Sequence, residues 1–137
     1  MDFRPTPAQQ DLGPLTRAIL DDHVTTDRLR EIETKGDRFD RALWMELAGA
    51  GVLAATLPPS VGGDGFGLLE QCSVLVELGR AVAPVPYLSS IVTAAAAVAT
   101  FGDAAQLERW AAPAGRGELV LTAALAEEGT VHAGRSG

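Results

Sequence analysis

The stretch LPPSVGGDGFGLLEQCSVLVELGRAVAPVP, residues 57–86, decides how the chain is read. Pro58 and Pro59 are followed by Gly62, Gly63, Gly65 and Gly67, and these lead directly into a long apolar run closed by Pro84 and Pro86. A glycine-rich turn before a helix admits two readings. Backbone N–H groups at a helix start favour anions, which points to a phosphate cradle; glycines also supply the positive φ that a tight structural turn needs. There is no G-x-x-x-x-G-K-[ST] string, no well-formed strand precedes the loop in a βαβ setting, and Asp64 places a negative charge where a phosphate would sit. The loop is therefore expected to be an architectural turn.

Working outward from that loop, Leu68, Cys72, Leu75, Gly79 and Val82 recur at three- and four-residue steps, while Glu70, Ser73, Glu77 and Arg80 fall mostly elsewhere. The spacing predicts a helix over about 68–83, with its core face on Leu68, Cys72, Leu75 and Val82. Pro86 opens a further helix that is apolar nearly all round and stops at Gly102, so it must be buried on most sides. Ile91 and Val98 join the expected core from that helix, and Leu107 from the next, which starts on an Asp103–Gln106 capping box and breaks near Pro113. Toward the N-terminus, Thr6, Pro7 and Gln9 read as a capped helix start, with Leu12, Leu15 and Ile19 as its stripe and Pro14 expected to bend or break it. Residues 25–39 read as a charged surface segment, and Asp40 caps a helix from Arg41 to about Ala50.

Residues 118–126 change character. Leu119, Leu121, Ala123 and Leu125 alternate with Val120, Thr122 and Ala124, a run apolar on both faces that suits a buried strand. One strand cannot make a sheet, because its row of backbone donors and acceptors has no partner. The expected organisation is thus an all-α body over 1–117, with 118–137 as the start of a β domain that the chain lacks or as a disordered tail.

Composition excludes several classes. With 11 basic and 18 acidic residues, a net charge of −7 and a pI near 4.7, the chain lacks the positive footprint of phosphate-backbone binding, so nucleic acid is not an expected partner. The longest apolar stretch, 87–101, is shorter than the ~18 residues of a membrane span. No signal-peptide pattern opens the chain, and the single cysteine rules out a disulfide framework, so the expected compartment is the cytoplasm. His23 and His132 are too few and too far apart to suggest a metal site. No nucleophile triad spacing is present either. The alanine-rich helix, Ala94 to Ala97 and Ala99, either packs closely or leaves room for a slender apolar ligand, with Tyr87, Ser89, Ser90 and Thr93 as the nearest polar groups.

The segment Leu57-Pro58, Gly62-Gly63, Gly65, Gly67 and then Val76-Glu77-Leu78-Gly79-Arg80 resembles the N-terminal helical domain of the FAD-dependent acyl-CoA dehydrogenases. The resemblance runs outward from Pro5 to Glu127. It implies three domains, helical, β and helical, holding FAD and an acyl-CoA thioester between them. It further implies α,β-dehydrogenation, in which a glutamate of the C-terminal bundle takes a proton while hydride passes to the flavin. No residue of this chain matches that glutamate, so no catalytic residue is assigned. The resemblance makes Tyr87, Ser90 and Ala94 the expected wall of the acyl pocket. The family's Thr-Glu-Pro is Ala126-Glu127-Glu128 here, which leaves the backbone around Leu125 and Ala126 as the expected flavin contact. Implied partners are the β and C-terminal helical domains or a partner subunit, in a homo- or hetero-oligomer. The other expectation is a non-catalytic helical assembly module.

Overall fold

The computed structural model describes residues 7–124. Helix α1 spans Pro7–His23, α2 Thr26–Glu33, α3 Arg41–Gly49 and α4 Leu68–Arg80. Helix α5 is one continuous run, π-wound over Leu88–Ala95 and α-wound over Ala96–Phe101. Helix α6 joins Ala104–Gln106, a π-wound Leu107–Ala111 and Ala112–Gly115. Among the described residues no strand forms, and the all-α expectation holds.

Side-chain caps set several of these boundaries. Thr25 accepts from the Arg28 amide to start α2, a helix within the segment read only as charged surface. Asp40 accepts from the Leu43 amide to start α3, as expected. At α6 the capping box is complete: the Gln106 amide donates to Asp103 Oδ1 at 2.8 Å and the Asp103 amide to Gln106 Oε1 at 2.9 Å. Thr6 lies outside the described residues. The break expected at Pro14 does not interrupt α1, which continues for 17 residues and packs against α4. Packing along that neighbour compensates for the hydrogen bond that Pro14 cannot donate.

The glycine loop folds back on the chain before it. The Gly63 amide donates to Pro58 O, Gly65 to Leu57 O at 2.9 Å and Phe66 to Ala55 O at 3.0 Å. Gly62 has φ +84°, and a Cβ at Gly63 would overlap the carbonyl oxygens of Leu57 and Ala54. The expected architectural turn is what the structure contains. Trp44, Leu43, Leu47, Leu53, Leu57, Val74, Tyr87 and Ile91 form the centre of the core behind it.

Three of the expected core positions are not in the core. Leu68 is 72% exposed, Val82 is 71% exposed, and Cys72 is also exposed. Leu75, Val98 and Leu107 are half-buried against the core, and Ile91 is fully buried. Val82 lies beyond the end of α4, in a turn where its φ is +53°, and for Leu68 and Cys72 the cause is the rotation of α4. Its inner face carries Glu70, Val74, Glu77 and Leu78. Glu77 faces inward because Arg17 of α1 donates to both of its carboxylate oxygens, from Nε at 2.9 Å and Nη2 at 2.6 Å. Arg80 adds a third hydrogen bond to Glu77 and one to Asp21. A helix with two apolar sides is oriented here by its charged pair.

That clamp carries a pH dependence. Hydrogen bonding to Arg17, and then to Arg80, holds the Glu77 carboxyl at about 2 despite its burial. Its folded pKa lies below the usual glutamate value, so its contribution is complete above about pH 5 and is lost as pH falls toward 2. Thermal melts of Glu77→Gln should therefore show a deficit against the parent at pH 7 that narrows steadily below pH 4.

Candidate functional site

Helix α5 carries every described residue expected at the acyl pocket. Tyr87 immediately precedes its π-wound part and is almost fully buried. Burial raises its phenol to about 12, against a smaller opposing pull from Thr56. The hydroxyl makes no hydrogen bond of acceptable geometry. Ser90 is fully buried, and its Oγ accepts from the Leu121 amide at 3.0 Å. Ala94 is buried one turn further on. Leu125 and Ala126, the expected flavin contacts, lie outside the described residues.

The Ser90 contact explains the course of the tail. Residues 118–124, expected as part of a strand, have no ladder partner among the described residues, and a buried hydroxyl meets one of their amides instead. A groove of about 420 Å³ opens between this tail and α5. Val85, Pro86, Leu88, Ser89 and Thr93 line one side, and Thr122 and Ala123 the other. Tyr87, Ser90 and Ala94 are buried in the protein body, and Ser89 and Thr93, also singled out in the sequence, line the groove itself.

The winding of α5 shapes that wall. Thr93 Oγ1 donates to Leu88 O, five residues back, at 2.9 Å, and Ser89 Oγ donates to Pro86 O at 3.3 Å. Both hydroxyls are thereby folded against the helix, so an apolar guest would meet methylene and methyl groups over most of the wall. π-wound segments are rare and concentrate at functional positions. No residue pattern announced the eight-residue π segment, and the part played by Thr122 depended on where the tail returns.

Among the described residues the buried carboxylates, Asp40, Glu70 and Glu77, are all engaged. Asp40 accepts two hydrogen bonds from Arg28 as well as the α3 cap, and Arg28 holds its pKa below the ordinary value. Glu77 is held by Arg17 and Arg80. Glu70 accepts from the Gly67 amide at 3.0 Å, so the start of α4 is filled by the chain's own carboxylate. That contact closes the phosphate-cradle reading. A general base needs a carboxylate free to reach a substrate proton, and none of these three is. Among the described residues no cluster of His, Cys, Asp or Glu could hold a metal ion, and no helix is long and apolar enough to cross a membrane.

Comparison with known proteins locates this architecture. Residues 6–118 match the family described as acyl-CoA dehydrogenase, N-terminal domain. The acyl-CoA dehydrogenase FadE27 of Mycobacterium tuberculosis is 47% identical over 140 residues, covering all of this chain and 38% of that protein. FadE28 of the same organism is 32% identical over 129 residues, 94% of this chain and 32% of its own length. Among solved structures, the ChsE4-ChsE5 complex from Mycobacterium tuberculosis superposes with TM-score 0.89 at 48% identity, over 95% of this chain and 36% of that one. The Tcur3481-Tcur3483 steroid ACAD superposes with TM-score 0.82 at 44% identity, over 89% of this chain and 33% of that one. The chain thus spans about a third of the length of such relatives. It belongs to the acyl-CoA dehydrogenase family and corresponds to the family's N-terminal helical domain.

Proposed function

We propose that this chain forms the N-terminal helical part of an FAD-dependent acyl-CoA dehydrogenase and supplies one wall of the acyl pocket. The observation that carries the reading is the groove along π-wound α5, lined by Ser89 and Thr93 and closed by Thr122 and Ala123, with Tyr87, Ser90 and Ala94 buried in the same helix behind it. The start of α4 is occupied by the chain's own Glu70 and offers no anion cradle there. Flavin, when bound, supplies the hydride acceptor. Backbone groups near Leu125 and Ala126 contribute to holding it, and the base comes from the two-thirds of the enzyme that this chain does not match. Within that division of labour, α5 excludes water from one side of the acyl chain and fixes its direction.

The likeness to a protein described as a steroid ACAD supports a bulky, polycyclic acyl group as the substrate class. A non-catalytic helical assembly module is the second reading, favoured by the exposed apolar side of α4. The two are separated by placing this chain in FadE27 in place of the part it matches and then changing Thr93→Leu. If α5 walls the pocket, the added bulk raises KM for a steroid-derived acyl-CoA by roughly tenfold with little change in kcat. Unchanged KM and kcat would favour the assembly reading.

A further inference from the structure

Helix α5 carries four hydroxyls, and three of them bond backward to a nearby carbonyl. Ser89 Oγ donates to Pro86 O, Thr93 Oγ1 to Leu88 O and Thr100 Oγ1 to Ala96 O. Ser90 is the exception: its Oγ receives the Leu121 amide at 3.0 Å, from 31 residues further along the chain. Ser90 is fully buried, where a hydroxyl is costly unless bonded, and alanine, which fills positions 94–97 of the same helix, would sit there without that cost. The hydroxyl therefore serves something outside its own helix.

What it serves is the tail. The Glu118 amide is tied to Pro113 O at 3.0 Å. From 119 to 124, among the described residues, the Ser90–Leu121 bond is the single hydrogen bond to the rest of the chain. Leu121 is half-buried against the core, and the next two residues, Thr122 and Ala123, are exposed and form one side of the groove. Ser89, beside Ser90 in sequence, and Thr93 lie on the other side. One buried bond thus joins the two sides.

We propose that Ser90 is a positioning residue that sets the width of this groove, and through it the width of the acyl group admitted. The inference rests on the reading of the groove as an acyl wall and adds to it the residue that fixes its opening. Ser90 lies behind the wall and acts on the guest only through residues 121–123. Without its oxygen the Leu121 amide has no protein acceptor and turns to water, so Thr122 and Ala123 are no longer held opposite α5.

This chain is joined to the remainder of FadE27 and compared as parent, Ser90→Ala and Thr93→Leu, with a steroid-derived acyl-CoA and octanoyl-CoA as probes. Ser90→Ala should lower the kcat/KM ratio of the steroid-derived probe over octanoyl-CoA by roughly tenfold, through KM more than kcat. Hydrogen exchange of the Leu121 amide in the same protein should quicken by roughly tenfold or more, while the amides of α1 and α4 keep the parental rate. Unchanged exchange at Leu121, or exchange quickened equally in α1 and α4, overturns the proposal. Quickened exchange at Leu121 with an unchanged or higher ratio overturns it too, and reduces the bond to one of stability alone. Each of these results leaves the acyl-wall reading standing if Thr93→Leu still raises KM; if neither variant moves KM, that reading falls as well. A joined parent without turnover overturns both. Ser90→Cys keeps the size of the side chain with a weaker acceptor, and should give smaller shifts in the same direction if Ser90→Ala does not fold.

Discussion

Gly63→Val is expected to abolish folding of the chain. Its Cβ would occupy space already held by the backbone carbonyl oxygens of Leu57 and Ala54, and no rotamer relieves an overlap at Cβ. The Gly63, Gly65 and Phe66 amides all bond to the 55–58 segment, so moving the loop outward breaks that set of hydrogen bonds together. Leu57 and Ala55 beneath it belong to the core. A loss above about 4 kcal/mol belongs to such cases and consumes much of the 5–15 kcal/mol that holds a typical domain together. Gly62→Ala is the control: nothing crowds its Cβ, and only its φ of +84° opposes the change, at a cost of about 1–2 kcal/mol. Circular dichroism melts of both variants decide the matter. A Gly63→Val protein with parental Tm would show that the loop is not fixed in this conformation.

Asp40→Ala carries the second large effect. One buried carboxylate starts α3 through the Leu43 amide, receives Arg28 Nε and Nη2 at 2.8 Å each, and belongs to a residue whose amide donates to Pro84 O at 2.9 Å. Its removal frees the first turn of α3 and unties α2 from α3. Loss of the cap and of two charge-assisted hydrogen bonds amounts to about 2–4 kcal/mol. Asp40→Asn retains a capping oxygen and should recover about half of that. Urea titrations of the two variants check the ordering, and equal losses would mean that the cap contributes nothing.

The same residues show what could be read before the fold was seen. Asp40, the Asp103–Gln106 box, the helix stop at Gly102 and the glycine turn are local chemistry, each satisfied by nearby stretches of the chain, and each stands where its sequence pattern put it. The orientation of α4 was not legible in the same way. Leu68, Cys72 and Leu75 make as good a stripe as Val74 and Leu78, and the choice between them rests on Arg17, 60 residues away from Glu77 in the chain. Placing Glu77 off the core face turned the helix inside out. The serines and threonine of α5 were legible as a polar neighbourhood, and burial divides them, with Ser90 inside and Ser89 and Thr93 on the groove. Thr122 could join them only once Ser90 had caught the Leu121 amide.

Flavin content and turnover test the central claim most directly. The 137-residue chain is purified alone, and again joined to the remainder of FadE27, each with added FAD, an artificial electron acceptor and a steroid-derived acyl-CoA. Every buried carboxylate described here is committed to an arginine or a helix start, and one wall cannot close a water-poor site. The chain alone should retain no stoichiometric FAD and show no oxidation of the thioester, and the joined protein should do both. Turnover by the chain alone, or a joined protein that folds yet holds no flavin, would contradict the assignment of this chain as one wall of an acyl-CoA dehydrogenase.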